Sequence, residues 1–201
     1  IILGDRYEAL FAAISSFFFR IPIIHIHGGE ITEGALDDTM RHVITKLSNY
    51  HFVSHDKYRK RDLQLGEKPE KIYLAGSLGG ENIKKLRIIK KNSVEKLLKF
   101  KFLKNNYIVT YHPETLSKDF GIKSLKNLLK YLSKQKDTFI FFTRPNADAG
   151  NYEINSLIKR FVKNYKNSKY IFNLGDKLYF SILKCCNAII GNSSSGIIEA
   201  P

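Results

Sequence analysis

The sequence is poor in the residues and runs that mark several protein classes. It has two cysteines, adjacent at Cys185 and Cys186. Neighbouring cysteines cannot build a disulfide framework and lack zinc-ligand spacing, so they read as small buried hydrophobes in a reducing compartment. No apolar run reaches the roughly eighteen residues of a membrane-spanning helix. The longest apolar patch, Phe17 to Ile24, is broken by Arg20 and Pro22. No charged leader precedes an apolar core and a cleavage site, so no segment reads as a secretory signal and the expected location is the cytoplasm. Neither a G-x-x-x-x-G-K-[ST] nor a G-x-G-x-x-G run occurs, which excludes the P-loop and dinucleotide fingerprints. No internal repeat is visible at a period of roughly 20–50 residues.

What is present describes a globular protein. Its 201 residues are room for one large domain or two small ones. A 43% hydrophobic content can bury a core, and 26% charged residues is ordinary, so disorder and collagen-like classes are excluded. The net charge of +14 raises the question of nucleic acid. Lys84 to Lys104 carries nine Lys or Arg against the single acid Glu95, which is +8 of that total. The leucines of this stretch fall at helical spacing, so its lysines read as the wet face of a helix or linker. No zinc finger, RNP-like aromatic motif or basic heptad accompanies them, and no nucleic-acid partner is expected.

Short β-branched or aromatic runs alternate with amphipathic ones. Ile1-Ile2-Leu3 reads as the end of a buried strand. Further strands are expected at Ile21–Ile26, His51–Ser54, Lys71–Ala75, Tyr107–Tyr111, Thr138–Thr143, Tyr170–Asn173 and Ala188–Ile190. Helices are expected at Glu8–Arg20, Asp38–Ser48, Lys57–Leu65, Leu125–Lys134, Asn151–Lys163 and Leu178–Cys185. Strand–turn–helix repetition predicts an α/β class with doubly wound parallel sheets. The lysine-rich stretch, which lacks turn signals, suggests a boundary between domains spanning 1–90 and 91–201. Two facing Rossmann-like domains would hold a ligand in the cleft at the C-terminal ends of their strands. The chain starts at Ile1 and stops at a helix just beginning, so it reads as an internal piece of a longer protein with both domains incomplete.

Polar turns follow the strands. Asp5, in Gly4-Asp5-Arg6, is either a helix N-cap or a carboxylate at the mouth of the sheet, and Arg6 either steadies an anion or pairs with an acid. His25 and His27 are expected on one face of a strand, with at least one of them structural. With Glu30 they make only a weak metal pattern, and no metal is expected. Asp37 and Asp38 open a helix, where the dipole favours acids, one turn before Arg41 and His42. His112-Pro113-Glu114-Thr115 and Arg144-Pro145-Asn146-Ala147-Asp148 end two further strands. Gly191-Asn192-Ser193-Ser194-Ser195-Gly196 offers backbone N–H groups and hydroxyls that could surround a phosphate.

Taken in order, GDRYEA, HIHGGEITEGALDDTMRHVITKLSNYHF, YHPET, RPNADAG and GNSSSGIIEAP resemble the hydrolysing UDP-N-acetylglucosamine 2-epimerase family over almost the whole chain. The block GALDDTMRHVITKLSNYHF is the most specific part. The resemblance implies a GT-B-like pair of Rossmann domains, with a UDP-sugar as substrate, and a nucleotide-binding arginine upstream of Ile1. It implies no cofactor, and a homo-oligomer when full length. Asp5 and Asp37 match catalytic acids, and His112 a histidine near the diphosphate. Arg6, Ser193, Ser194 and Glu199 match nucleotide-binding positions, Glu199 at the ribose hydroxyls, and Asn146 and Ser195 fall in the same turns. The implied chemistry expels UDP from C1 as a base takes the C2 proton, adds water to the resulting glycal, and returns a proton to C2 from the other face. Such a weakly acidic proton needs carboxylates in a dry site, and the leaving diphosphate needs cations and N–H donors. His27 stands where animal and non-hydrolysing relatives carry a glutamate in H-I-E or H-V-E. Either His27 or Glu30 then supplies that acid/base group. A non-hydrolysing epimerase and a catalytically silent sugar-nucleotide-binding domain are the alternatives.

Overall fold

The computed structural model describes residues 1–32, 36–76 and 86–198. These fall into two compact units, 1–78 and 79–201. Each unit is a four-stranded, wholly parallel sheet with helices between its strands.

In the first unit the order along the chain is β1 (Ile2–Leu3), α1 (Tyr7–Phe18), β2 (Ile24–Ile26), α2 (Asp37–Leu47), β3 (Tyr50–Val53), α3 (Asp56–Gln64) and β4 (Ile72–Leu74). The strands also lie side by side in that order. The register aligns Ile2, His25, His51 and Ile72 in one row across the sheet. All four are buried, so two histidines occupy the centre of an otherwise aliphatic row. Ile2, Ala13, Ile23 and Ile44 form the apolar core beside them.

The second unit runs α4 (Lys91–Leu98), β5 (Asn105–Thr110), α5 (Ile122–Leu132), β6 (Thr138–Thr143), α6 (Asn151–Asn164), β7 (Ser168–Ile171), α7 (Gly175–Leu183), β8 (Ala188–Gly191) and α8 (Ser195–Ile198). Its sheet order is β7-β6-β5-β8. Both faces are covered. Ile108, Phe139 and Phe141 join one apolar cluster, while Val109, Ile140 and Phe142 point the other way into a second. A strand buried on both faces needs apolar residues throughout, which is why Thr138–Thr143 reads TFIFFT. In α5, Ile122, Leu125, Leu129 and Leu132 are buried while Lys123, Lys126 and Lys130 are exposed, the stripe of an amphipathic helix. The lysine-rich segment behaves likewise: α4 buries Val94 and turns its lysines outward.

Cys185 and Cys186 are half-buried rather than fully buried, and pack against the Ile108 cluster. Burial raises both thiol pKa values, that of Cys186 to about 12, so they act as the expected small hydrophobes.

Several expected bounds shift: β2 starts at Ile24 rather than Ile21, α5 at Ile122 rather than Leu125 and α7 at Gly175 rather than Leu178. β7 begins two residues earlier than the aromatic run suggests, because Ser168 and Lys169 pair with Ile140 and Phe141 at the sheet edge. His25 and His27 do not share a strand face. β2 ends at Ile26, and His27 takes a left-handed φ of 65° that removes it from the alternation.

Candidate active site

Because every strand is parallel, the polar turns that follow them gather at the C-terminal end of each sheet. In the first unit these are Asp5 after β1, His27 and Glu30 after β2, and Ser54 after β3. Nδ1 of His27 lies 2.6 Å from Oε1 of Glu30, and the Ser54 hydroxyl donates to the same oxygen at 2.7 Å. Both side chains are about 17% exposed. Burial raises the Glu30 pKa, but the hydrogen bonds from His27 and Ser54 outweigh it and hold the carboxyl below its ordinary value. An ionised Glu30 fixes the proton of His27 on Nδ1, and leaves Nε2 as the bare nitrogen of the neutral ring.

The turn carrying this pair admits only glycine at one point. Gly29 has φ 71°, and a Cβ there would stand 2.4 Å from the Tyr58 carbonyl oxygen. Arg61 donates to the Gly29 carbonyl from below.

Asp5 is not the N-cap of α1. Arg6 occupies that position, and no side chain caps the helix. The Asp5 carboxylate is held by the guanidinium of Arg41, which also donates to Thr32 Oγ1 at 3.1 Å. Arg41 is 6% exposed; its Nε and Nη1 have no hydrogen-bond partner among the described residues. Asp37 opens α2 beside Asp38, whose Oδ1 accepts from the Thr32 N–H at 3.1 Å. Arg6 contacts Glu8 at 3.3 Å.

A buried polar layer lies beneath. His25 is held by the Gly4 carbonyl at 2.8 Å and Thr45 Oγ1 at 3.1 Å. Burial lowers its pKa to about 4, so it is neutral. Nε2 of His51 lies 3.1 Å from Glu67 Oε2, yet burial dominates and lowers its pKa as well. Asp62 is fully buried against Gly28 and Gly29. Burial and then the Glu67 charge push it up to about 7.

The second unit gathers His112 after β5, Arg144 and Asn146 after β6, and Asn192 to Ser195 after β8. The Asn146 N–H donates to His112 Nδ1 at 3.1 Å. Ser193 Oγ lies 3.0 Å from Ser195 Oγ and 3.3 Å from its backbone nitrogen. Beside them a cleft of about 320 Å³ is lined by Thr110, Thr143, Arg144, Phe172, Asp176, Ser193 and Ser195, among others. It is the right size for part of a small ligand. The Arg144 guanidinium lies 4.2 Å from the Phe172 ring centroid. A larger hollow of about 590 Å³ sits at the opposite end of the first sheet, near Phe17, Pro22 and Asn49, where no candidate residue falls.

The candidates thus form three groups: His27 with Glu30, His112 with Asn146, and Ser193 with Ser195. Ser194 lies in the same serine turn, and Glu199 lies outside the described residues. Sequence reasoning passed over Arg41, Ser54, Asn192 and Phe172. All four stand in or beside the polar turns and α2, but their roles depend on partners distant in the chain. Among the described residues no three His, Cys, Asp or Glu side chains gather as a metal site, and no helix is long and apolar enough to cross a membrane.

The chain matches the family described as UDP-N-acetylglucosamine 2-epimerase over residues 1–201. It is 45% identical over its whole length to a protein of Campylobacter jejuni named GDP/UDP-N,N'-diacetylbacillosamine 2-epimerase (hydrolyzing), covering 53% of it. It is 43% identical to the polysialic acid biosynthesis protein P7 of Escherichia coli, covering 51%. The chain spans about half the length of the curated relatives it matches. Among solved structures, the S. aureus MnaA–UDP complex superposes with TM-score 0.75 at 15% identity, covering all of this chain and 53% of the other. The Neisseria meningitidis UDP-GlcNAc 2-epimerase bound to UDP-GlcNAc gives 0.72 at 17%, covering 95% and 53%. At those identities the shared property is the fold, and it agrees with the expected pair of parallel α/β sheets.

Proposed function

The chain belongs to the UDP-N-acetylglucosamine 2-epimerase family, and from that premise we propose that the whole protein carrying it is a hydrolysing 2-epimerase. Its substrate is UDP-N-acetylglucosamine or a UDP-2,4-diacetamido-6-deoxy sugar. Its products are UDP and the free manno-configured amino sugar, a precursor of sialic- or legionaminic-type nonulosonates. The name of the C. jejuni relative, at 45% identity, supports the hydrolysing branch.

The observation that carries this reading is the His27–Glu30 pair at 2.6 Å. A histidine whose Nδ1 proton is held by a buried carboxylate presents Nε2 as a base, and the carboxylate stabilises the imidazolium that forms. We assign His27 as the group that exchanges the C2 proton and Glu30 as the group that orients it. Asp5, held by Arg41, and Asp37 serve on the opposite proton transfer and the attacking water.

Removal of the C2 proton forms the C1–C2 double bond, and the electron pair of the C1–O bond departs with UDP. Water then adds at C1, and the proton delivered to C2 on the other face inverts that carbon. The sum is sugar nucleotide plus water giving UDP plus free sugar. No electron is exchanged, so the chemistry needs no redox cofactor. We assign the first unit to the closing part of an N-terminal Rossmann-like domain, which supplies the proton-transfer groups. The second is the opening part of a nucleotide-binding domain. There His112, Asn146, Ser193, Ser194 and Ser195 meet the diphosphate and Glu199 is a further nucleotide contact, while Arg6 is assigned to the nucleotide from the first unit.

Incubating the whole protein with each UDP-sugar and quantifying free UDP and free sugar tests the assignment. Equal amounts of UDP and manno product are expected. A UDP-linked manno sugar as the only product would mean a non-hydrolysing epimerase, and UDP binding without turnover a silent binding domain.

A further inference from the structure

We propose that Asn192 is a positioning residue that fixes both the pose and the ring tautomer of His112; its functional meaning rests on His112 facing the diphosphate, as assigned above. The Asn192 carboxamide closes on both backbone groups of His112. Oδ1 accepts from the His112 N–H at 2.8 Å, and Nδ2 donates to the His112 carbonyl at 2.9 Å. Donor meets acceptor at each position, so the amide has a single satisfied orientation.

The fold brings the two residues together just beyond the last paired residues of their strands. Thr110 pairs with Gly191 in the parallel register. The approach there is so close that a Cβ on Gly191, with φ 143°, would stand 1.8 Å from the Thr110 carbonyl oxygen. With the His112 backbone clasped, its ring reaches the turn after β6, where Nδ1 accepts from the Asn146 N–H at 3.1 Å. A nitrogen that accepts is bare, so the proton of the neutral ring sits on Nε2.

Asn192 also immediately precedes Ser193, the hydroxyl on which Ser195 folds back. One side chain thereby ties the turns after β5 and β8 together, and the ring of His112 ties in the turn after β6. The consequence for an anionic ligand is direct. Nε2–H offers a phosphate oxygen a hydrogen-bond donor, whereas the other tautomer would present a lone pair and repel it. Asn192 is exposed, so replacing it removes the clasp without opening the core.

Long-range proton–nitrogen NMR of the histidine-labelled whole protein at about pH 8 tests this. His112 is assigned by the signals lost in His112→Gln. The wild type is expected to show a single tautomer with the proton on Nε2. Asn192→Ala and Asn192→Asp, each with the fold checked by circular dichroism, are expected to populate both tautomers. The aspartate keeps the acceptor for the His112 N–H but sets a carboxylate against its carbonyl, so it decides the matter if the alanine variant misfolds. UDP affinity is expected to fall about tenfold in Asn192→Ala. A wild-type ring with the proton on Nδ1, or one unchanged tautomer in a folded variant, overturns the proposal. Mixed tautomers with unchanged UDP affinity uphold the clasp and instead remove His112 from the diphosphate.

Discussion

Glu30 Oε1 accepts from two neighbours at once: His27 Nδ1 at 2.6 Å and the Ser54 hydroxyl at 2.7 Å. A carboxylate so held stays ionised and keeps the imidazole in one orientation. Glu30→Gln preserves an acceptor for His27 but removes the charge that stabilises the imidazolium. Turnover of the whole protein is expected to fall by about 10²–10⁴-fold with little change in UDP affinity. Ser54→Ala is expected to cost less, about tenfold, the low end for one hydrogen bond to a charged group. A Glu30→Gln protein that retained most of its kcat would leave His27 without a role for its partner.

Asp5 and Arg41 form a second linked pair, with the arginine buried. Asp5→Asn is expected to abolish turnover, within about 10²–10⁴-fold, while UDP titration by calorimetry stays near wild type. Arg41→Met strands the carboxylate and is expected to lower unfolding stability by roughly 2 kcal/mol. The double variant Asp5→Asn, Arg41→Met should recover part of that loss in a denaturant-melt cycle. Purely additive losses would show that the two side chains are not coupled.

Two buried groups give opposite pH slopes. Unfolded His25 takes up a proton near 6.5 and the folded residue only near about 4. The unfolded state therefore binds more protons in that window, and stability is lost as pH falls through it, by roughly 3 kcal/mol. Asp62 runs the other way: its unfolded value is 3.8 and its folded value about 7. The folded state binds more protons there, so stability is lost as pH rises from about 4 to 7. Asp62→Asn should stabilise the protein by about 1–3 kcal/mol at pH 8. It should also unmask a steeper loss on acidification from 6.5 to 4. Thermal melts from pH 4 to 8 read both effects, and parallel melt curves for wild type and variant would contradict them.

Gly191 leaves no room for a side chain, since its Cβ would collide with the Thr110 carbonyl at 1.8 Å. Moving a backbone rather than a side chain is expensive. Gly191→Ala is expected to lower stability by about 3 kcal/mol, seen as an earlier denaturant midpoint. An unchanged midpoint would mean that the two strands separate there easily.

The parallel sheets were legible because short β-branched or aromatic runs alternate with amphipathic ones, and TFIFFT at Thr138–Thr143 declares burial on two faces by composition alone. The polar turns at strand ends were legible too, as breaks between periodic segments. What the sequence hid are contacts between distant residues. Arg41 and Asp5 are 36 residues apart, and Asn192 and His112 are 80 apart, and no local pattern encodes either pair. The expected common face for His25 and His27 failed for a different reason: alternation holds only while the strand lasts, and His27, just past its end, itself takes a left-handed φ. Asp62 sits on a helix that otherwise reads as a wet, charged surface, DKYRKRDLQ. Its burial follows from the close seat of the glycine turn on α3, which single-residue propensities do not contain.

The reading as a whole turns on proton exchange at C2 coupled to loss of UDP. The most direct measurement runs the reaction of the whole protein in heavy water, with UDP-N-acetylglucosamine and with its diacetamido analogue, and follows both carbons by NMR. Free manno-configured sugar carrying deuterium at C2 and released together with one equivalent of UDP is the predicted result. UDP release with gluco configuration retained and hydrogen still at C2 would contradict it, because the leaving group would then have departed without the proton transfer assigned to His27 and Glu30.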